Sequence, residues 1–370
     1  MWRRLNGRLY VGVCGEITGG LSAWVVAYDP ERRRTDYLVE MAAVLGHPAD
    51  NGEATHSKVH KCLLQDDDGT IYAATHCTGA PLGDWIWRPW NCWNHPVKYF
   101  SGAGLAVFRP DGELIYTTTL FPREGARCMA LARRRRRLYI MSYPRNHFCV
   151  YDLETRSLRD FGRISQLNPQ CIFLDAAENG YTTGDYGEII KFDADRGELL
   201  ETGAVIPHES FRNGYHATLY DATPSPDGES VWGTTWTWGE RLFRYDFAEG
   251  RIEDFGLAFG ESDPVWDHII HTHVGGMVFG PDGGLYYTVN RRSPEGSHPW
   301  LVRFDTGTRT RELIGPLVYD GRPGDHISRG VCGTDGALYF AEAGNTPTKL
   351  FRCDLGFSSG VGGRVRRLWG

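Results

Sequence analysis

The sequence lacks the features of several protein classes. No stretch approaches the ~18 uninterrupted apolar residues of a membrane-spanning helix, and 23% charged with 41% hydrophobic residues excludes a disordered chain. Residues 1–10 contain no apolar segment typical of a secretory signal. We therefore expect no membrane partner and a cytoplasmic location, or a secreted or periplasmic one if a signal has been removed.

An excess of positive charge is also lacking. The formal net charge is −6, which argues against a nucleic-acid partner. The one basic run, Arg133 to Arg137, is interpreted as a solvated hairpin turn. Among nine cysteines there is no CxxC pair, and Cys62, Cys128, Cys171 and Cys332 lie in apolar runs. Buried thiols are therefore expected rather than disulfides or a cysteine metal site.

Helical patterns are scarce, whereas glycine and aromatic residues are plentiful, with 46 Gly, 18 Tyr and 12 Trp. Residues 58–76 contain two apolar runs joined by Asp68-Gly69, a pattern that predicts a β-hairpin. His60 opens the first run and His76 closes the second. In an antiparallel pair the start of one strand lies beside the end of the other, so we expect both imidazoles at the end of the hairpin away from its turn.

Similar units recur along the chain and indicate a repeat architecture. Seven apolar segments, most ending in Asp, are expected as third strands: 24–29, 105–110, 148–152, 189–193, 242–246, 301–305 and 350–354. A "Leu-Tyr"-like strand precedes each segment, and a polar outer strand follows most of them. The pattern predicts an all-β fold, a seven-bladed β-propeller of four-stranded antiparallel blades, forming a single monomeric domain over residues 1–370.

The first blade is the weak point of this prediction, because few residues precede Arg8. A short strand in those residues, or the C-terminal segment 364–370 as an outer strand, is expected to complete the fold.

Inner strands of propeller blades line a common channel, so the residues that open them should converge. Arg127 and Tyr143 are separated by 16 positions, as are His60 and His76. This spacing predicts that the four side chains share one site, because clustered titratable groups mark functional sites. Residues at equivalent positions in later blades are expected to bind substrate: Gln170, His216, Tyr220, Trp236, His273 and Arg329.

The stretches 58–60 with 75–76, 125–127 with 142–144, and 151–162 resemble the seven-bladed propeller polysaccharide lyases, namely the ulvan lyases and rhamnose–glucuronate lyases. The resemblance implies β-elimination of a 4-linked uronic acid in an acidic polysaccharide or oligosaccharide, with no cofactor required. It also implies that His60, His76, Arg127 and Tyr143 are catalytic. The tryptophan-rich loop 79–96 has no counterpart in that family, and its rings could stack on sugars or pack over a blade edge.

These residue types suit the reaction. Arg127 can neutralise the uronate carboxylate, His60 or His76 can remove the C5 proton, and Tyr143 can protonate the departing O4. Tyr143 could perform both transfers on a syn substrate. The residues alone do not distinguish base from acid.

Three alternatives remain open. His268, His271 and His273 have a spacing that resembles the metal-binding segment of oligogalacturonate lyases, so a divalent Mn, Ca or Zn ion is possible. A non-catalytic propeller that binds glycan or protein is the second alternative. The third is a rhamnosyl-glucuronate glycoside hydrolase, which would require two opposed carboxylates; the candidates are Asp185, Asp221 and Asp267.

Overall fold

A computed structural model provides the structure of the chain. It describes residues 2–3, 6–14, 22–47, 54–77, 99–208, 218–236, 240–260, 274–293, 296–343, 348–356 and 364–367.

The fold is a seven-bladed β-propeller of seven four-stranded antiparallel sheets, as predicted. The chain divides into two compact units, Met1–Asn168 with three blades and Pro169–Gly370 with four. Whether residues 1–370 act as one domain stays a prediction. In the part of the chain that the structure describes, no helix is long and apolar enough to span a membrane.

The first unit contains blades 1 to 3. Blade 1 comprises β1 (Trp2–Arg3), β2 (Leu9–Val13), β3 (Trp24–Asp29) and β4 (Arg34–Glu40), and is followed by the short helix α1 (Met41–Val44). Blade 2 comprises β5 (Leu63–Gln65), β6 (Ile71–Ala74), β7 (Gly102–Phe108) and β8 (Leu114–Pro122). Blade 3 comprises β9 (Gly125–Ala132), β10 (Arg137–Tyr143), β11 (His147–Asp152) and β12 (Leu158–Arg163).

The second unit contains blades 4 to 7. Blade 4 comprises β13 (Phe173–Leu174), β14 (Gly180–Thr183), β15 (Glu188–Asp193) and β16 (Glu198–Val205). Blade 5 comprises β17 (Thr218–Pro224), β18 (Ser230–Trp236), β19 (Arg241–Asp246) and β20 (Arg251–Leu257). Blade 6 comprises β21 (Val274–Phe279), β22 (Leu285–Ser293), β23 (Gly296–Asp305) and β24 (Thr310–Pro316). A small ribbon, β25 (Val318–Tyr319) and β26 (Arg322–Pro323), precedes blade 7, which comprises β27 (His326–Cys332), β28 (Leu338–Ala343), β29 (Leu350–Asp354) and β30 (Arg364–Arg367).

Both expectations for the ends of the chain are met. The short strand β1 pairs with β2 and supplies the inner strand of blade 1. The C-terminal strand β30 pairs with β29 as the outer strand of blade 7.

The aspartates that end the third strands have a local structural role. Asp152 Oδ1 accepts hydrogen bonds from the backbone N–H groups of Glu154 at 3.0 Å and Thr155 at 2.8 Å. Equivalent turns follow Asp29, Asp193, Asp246 and Asp305. An aspartate that binds the backbone beyond it starts a tight turn, which is why the repeat is recognisable in the sequence.

The hydrophobic core lies between consecutive blades within each unit. In the first unit, Leu64 and Tyr72 of blade 2 pack with Leu131 and Ile140 of blade 3. All seven residues of β7 are buried, whereas β8 alternates between exposed and partly buried positions along most of its length. Middle strands are covered on both faces, so their sequences are continuous apolar runs. Outer strands face solvent on one side, so their sequences alternate.

The arginine run forms the β9–β10 turn, as predicted, but it also joins two blades. Arg136 pairs with Asp66 of blade 2 at 2.5 Å, and Arg133 donates to the carbonyl of Gln65 at 2.9 Å. Asp66 is buried, so the ion pair with Arg136 compensates the hydration that its carboxylate has lost. Cys62, Cys128 and Cys171 are buried free thiols, as expected, and Cys332 is half-buried.

Candidate functional site

The inner strands of blades 2 and 3 are irregular where the candidate residues lie. In blade 3, Cys128 pairs with Met141 and Ala126 with Ser142, so Arg127 is an extra residue in a β-bulge. Tyr143 pairs with Gly125. A bulge re-aims the side chain of the unpaired residue, and bulges are common beside active sites.

The opening of blade 2 departs from a regular ladder in the same way. Lys58, rather than His60, forms the bridge to His76, and the regular pairing begins only at Leu63 with Ala73. The predicted hairpin is therefore present, with both imidazoles at the end away from its turn, but its regular ladder begins at Leu63 and not at His60. The extra residues place His60 beside the inner strand of blade 3, where Lys61 bridges Cys128.

The structure brings the four predicted catalytic residues together within the first unit. The ring centroids of His60 and His76 are 5.8 Å apart, and those of His76 and Tyr143 are 5.0 Å apart in an edge-to-face arrangement. The guanidinium carbon of Arg127 lies 5.0 Å from the Tyr143 ring centroid, which is a cation–π distance. Two imidazoles, a phenol and a guanidinium therefore form one contiguous cluster.

The hydrogen bond of His60 defines its tautomer. His60 Nδ1 lies 2.6 Å from the backbone carbonyl oxygen of Arg127. A carbonyl oxygen can only accept, so Nδ1 carries the proton and the Nε2 lone pair of the neutral ring is available to accept one. Desolvation, followed by the positive charges of Arg127 and Lys58, lowers the pKa of His60 well below 6.5.

His76 is the most enclosed member of the cluster, with no exposed surface. Burial, then the charges of Arg127 and Lys58, lowers the pKa of His76 well below 6.5. Its ring lies against Gly125, where an added Cβ would come within 2.2 Å of His76 Nδ1. A side chain at position 125 would displace the imidazole, so the glycine is required for this packing.

Four groups that the sequence did not predict lie near the cluster. Lys58 and Lys61 contribute positive charge at His60. His56 is 2% exposed and shares a 2.8 Å hydrogen bond with the hydroxyl of Thr75, next to His76. Burial, and then His47, lowers the pKa of His56 to about 3. Glu124 is a buried carboxylate beside Gly125. The only feature of the sequence that could have indicated these four residues is that they lie within a few positions of His60 or Arg127.

All six predicted substrate-binding residues belong to the second unit, and the structure describes four of them. Gln170 is buried, and its backbone N–H donates to the backbone carbonyl oxygen of Leu219 at 2.9 Å. Tyr220 is the extra residue of a β-bulge in β17, and its ring lies 6.0 Å from that of Trp236. Arg329 forms a 2.5 Å ion pair with Asp221, which is completely buried. This pairing indicates that Arg329 stabilises the second unit by neutralising a buried carboxylate.

Other predicted residues lie outside the described residues: His216, His268, His271 and His273, with Asp267 and the tryptophans of loop 79–96. The proposed metal ligands therefore stay a prediction. Within the described ranges, no group of three or more His, Cys, Asp or Glu side chains could hold a metal ion.

A cleft of about 230 Å³ lies between blades 5 and 6 of the second unit, with Trp232 and Phe255 among its lining residues. Its charged side chains are paired with one another, because Glu253 binds Arg244 at 3.1 Å and Arg309 at 2.6 Å. The cleft therefore offers aromatic surface and balanced charge, in contrast to the cationic cluster of the first unit.

No known protein family matches the chain, and no curated protein matches its sequence. Solved structures do match. A protein from Lactobacillus plantarum has a TM-score of 0.62 at 14% identity, covering 98% of this chain and 95% of that one. A 6-phosphogluconolactonase candidate from Bacteroides uniformis has a TM-score of 0.61 at 15% identity, covering 96% and 93%.

A catalytically inactive histidine-to-alanine variant of virginiamycin B lyase from Staphylococcus aureus, with quinupristin, has a TM-score of 0.56 at 13% identity and covers 86% and 85%. The chain spans only 38% of the extracellular domain of a candidate hybrid two-component system from B. thetaiotaomicron, at a TM-score of 0.56. At these identities the similarity establishes the propeller fold alone. The neighbours include enzymes.

Proposed function

We propose that the protein is a polysaccharide lyase that cleaves a 4-linked uronic acid by β-elimination, on a substrate such as ulvan or a rhamnosyl-glucuronate glycan. One observation carries the proposal: two imidazoles, a phenol and a guanidinium form one contiguous cluster in the first unit. Base, acid and carboxylate-binding cation are the three groups that this elimination requires.

Arg127 is proposed to bind the uronate carboxylate. Neutralising that carboxylate acidifies the C5 proton and stabilises the negative charge that develops as the proton leaves. The nearby Lys58 and Lys61 make the site attractive to an anion. A bound carboxylate would also offset the cations that lower the pKa of His60, so the base would strengthen once substrate is present.

His60 is the better candidate for the base. Its Nδ1–H is committed to the Arg127 carbonyl, which directs proton acceptance to Nε2. As Nε2 takes the C5 proton, the C5–H electron pair forms the C4=C5 bond and the C4–O4 pair departs on O4. Tyr143 then supplies a proton to that oxygen. His76 packs against both His60 and Tyr143, and its proposed part is to orient the two rings.

The glycoside-hydrolase alternative receives less support from the described residues. Asp221 is held by Arg329 and also accepts the N–H of Met277 at 3.2 Å. A carboxylate that is fully buried and paired in this way serves the structure of the second unit and is poorly placed to act as an acid or nucleophile.

The test is a screen of uronate polysaccharides that follows the ultraviolet absorbance of the unsaturated product. We expect absorbance to rise with ulvan or a rhamnosyl-glucuronate polymer. The site variant is His60→Asn, whose amide nitrogen can still donate to the Arg127 carbonyl but which lacks the base nitrogen. His208→Asn is the matched control, because His208 is an exposed histidine after the outer strand of blade 4.

New reducing ends without absorbance would indicate hydrolysis. Binding of a uronate polymer without cleavage would favour a non-catalytic propeller. Either result would overturn the lyase proposal.

A further inference from the structure

We propose that Glu124 is a positioning residue that holds Tyr143 against His76 and Arg127. This inference rests on the proposed function for its catalytic consequence. Its structural part stands on contacts among described residues of the first unit.

Glu124 is a carboxylate in an enclosed position. It lies between β8 and β9, directly before Gly125, and is 4% exposed. Its backbone carbonyl accepts the N–H of Ala103 at 2.6 Å, which anchors this turn to β7. A buried carboxylate persists only when its oxygens are hydrogen-bonded or ion-paired, so the partners of Glu124 show what it holds in place.

The first partner is Ser142, the residue before Tyr143. The Ser142 hydroxyl donates to Glu124 Oε2 at 2.5 Å, and Ser142 Oγ accepts the backbone N–H of His147 at 3.0 Å. Ser142 is 1% exposed. The hydroxyl therefore links the carboxylate to both ends of the 142–147 segment.

The second partner is Arg145, whose guanidinium pairs with Glu124 Oε1. Residues on both sides of Tyr143 are thus fixed to one carboxylate, through Ser142 at one oxygen and Arg145 at the other. Charge-assisted hydrogen bonds are the stronger class, and two from one group restrict the backbone between them. Glu124 therefore fixes the position of the Tyr143 ring.

The consequence for the reaction is a loss in turnover without a matching loss in binding. A displacement of a reacting group by about 1 Å can cost ~100-fold in rate. Glu124→Gln leaves one oxygen for two donors, so one of the two anchors is lost. Ser142→Ala removes the link altogether. We expect kcat to fall ~10- to 100-fold in both variants and KM to change less than ~3-fold.

A measurement independent of activity keeps the inference testable. The Tyr143 and His76 rings lie 5.0 Å apart in an edge-to-face arrangement, so the Tyr143 ring current should shift the His76 carbon-bound proton resonances. We expect those resonances to move in Glu124→Gln and Ser142→Ala. Glu154→Gln, in an exposed turn of the same blade, is the matched control and should leave both kcat and the resonances unchanged.

Arg145→Ala removes a side chain that is 60% exposed and keeps the Ser142 hydrogen bond to Glu124, so it is a third variant with the same two measurements that leaves no buried cavity. Unchanged kcat and unchanged His76 resonances in the variants that fold would overturn the inference. If the wild-type protein cleaves no uronate polymer but the resonances still move, the proposed function fails and the positioning role stands.

Discussion

Two arginines near the start of inner strands, Arg127 in the first unit and Arg329 in the second, have different surroundings. The guanidinium of Arg329 is paired with the fully buried Asp221. That of Arg127 lies over the ring of Tyr143, while its backbone carbonyl orients His60. Arginines near the start of inner strands therefore form a structural ion pair in the second unit and part of a cationic candidate site in the first.

The sharpest test of this comparison is Arg127→Ala. If Arg127 binds the uronate carboxylate, its loss removes charge stabilisation from the transition state, and kcat/KM should fall about 1,000-fold. The free energy of unfolding should fall less than in Arg329→Ala, because losing a cation–π contact with Tyr143 costs less than leaving a fully buried carboxylate without its cation. Steady-state kinetics and urea unfolding measure the two effects. Near-native turnover would remove Arg127 from the site.

Arg329→Ala should have the opposite profile. Removing the guanidinium leaves Asp221 buried without its cation, which should lower the free energy of unfolding by about 3 kcal/mol. Asp221→Asn in the same background removes the stranded charge and should recover part of that loss. Urea unfolding of the single and double variants measures this. Equal stability of Arg329→Ala and wild type would mean that the pair has no structural role.

Gly125→Ala probes the packing of the first unit. The added Cβ would lie 2.2 Å from His76 Nδ1, so the imidazole must move at a cost of about 2 kcal/mol in stability. Turnover should fall as well, because His76 packs against both His60 and Tyr143. Gly307→Ala is the control, since a Cβ there meets only Asp305 at 3.5 Å. Identical thermal midpoints for the two variants would contradict the predicted crowding.

The histidines of the first unit should make stability depend on pH. Burial lowers the pKa of His56 to about 3, and His60 and His76 are also shifted downward. Below the unfolded pKa of about 6.5, the unfolded chain binds protons that the native chain does not. Each of these residues should therefore reduce the free energy of unfolding by up to about 1.4 kcal/mol per pH unit as the pH falls from 6.5 toward 5.

His56→Asn should remove one such contribution from the slope. Urea unfolding at intervals between pH 7 and pH 5 measures the slope in both proteins. The same slope in both would show that His56 is not held neutral in the native state.

The limits of the sequence prediction are visible at particular residues. The third strands were recognisable because middle strands are apolar throughout and most end in a turn-forming aspartate, as at Asp152. The bulge at Arg127 was not recognisable, because one extra residue in a strand cannot be identified from the alternation of apolar and polar residues. Glu124 and His56 were overlooked because they lie outside the strands, where no periodicity marks a polar residue as buried.

The sequence by itself determined the all-β class, the seven blades and the choice of His60, His76, Arg127 and Tyr143, since these follow from local alternation, turn chemistry and spacing. Only the tertiary structure decided which of the chosen arginines is paired with a buried aspartate, which nitrogen of His60 carries its proton, and what holds Tyr143. Those properties depend on contacts between residues distant in the chain, such as Asp221 with Arg329 and His60 with Arg127. Pairings of this kind are set by how strands pack, which local patterns do not specify.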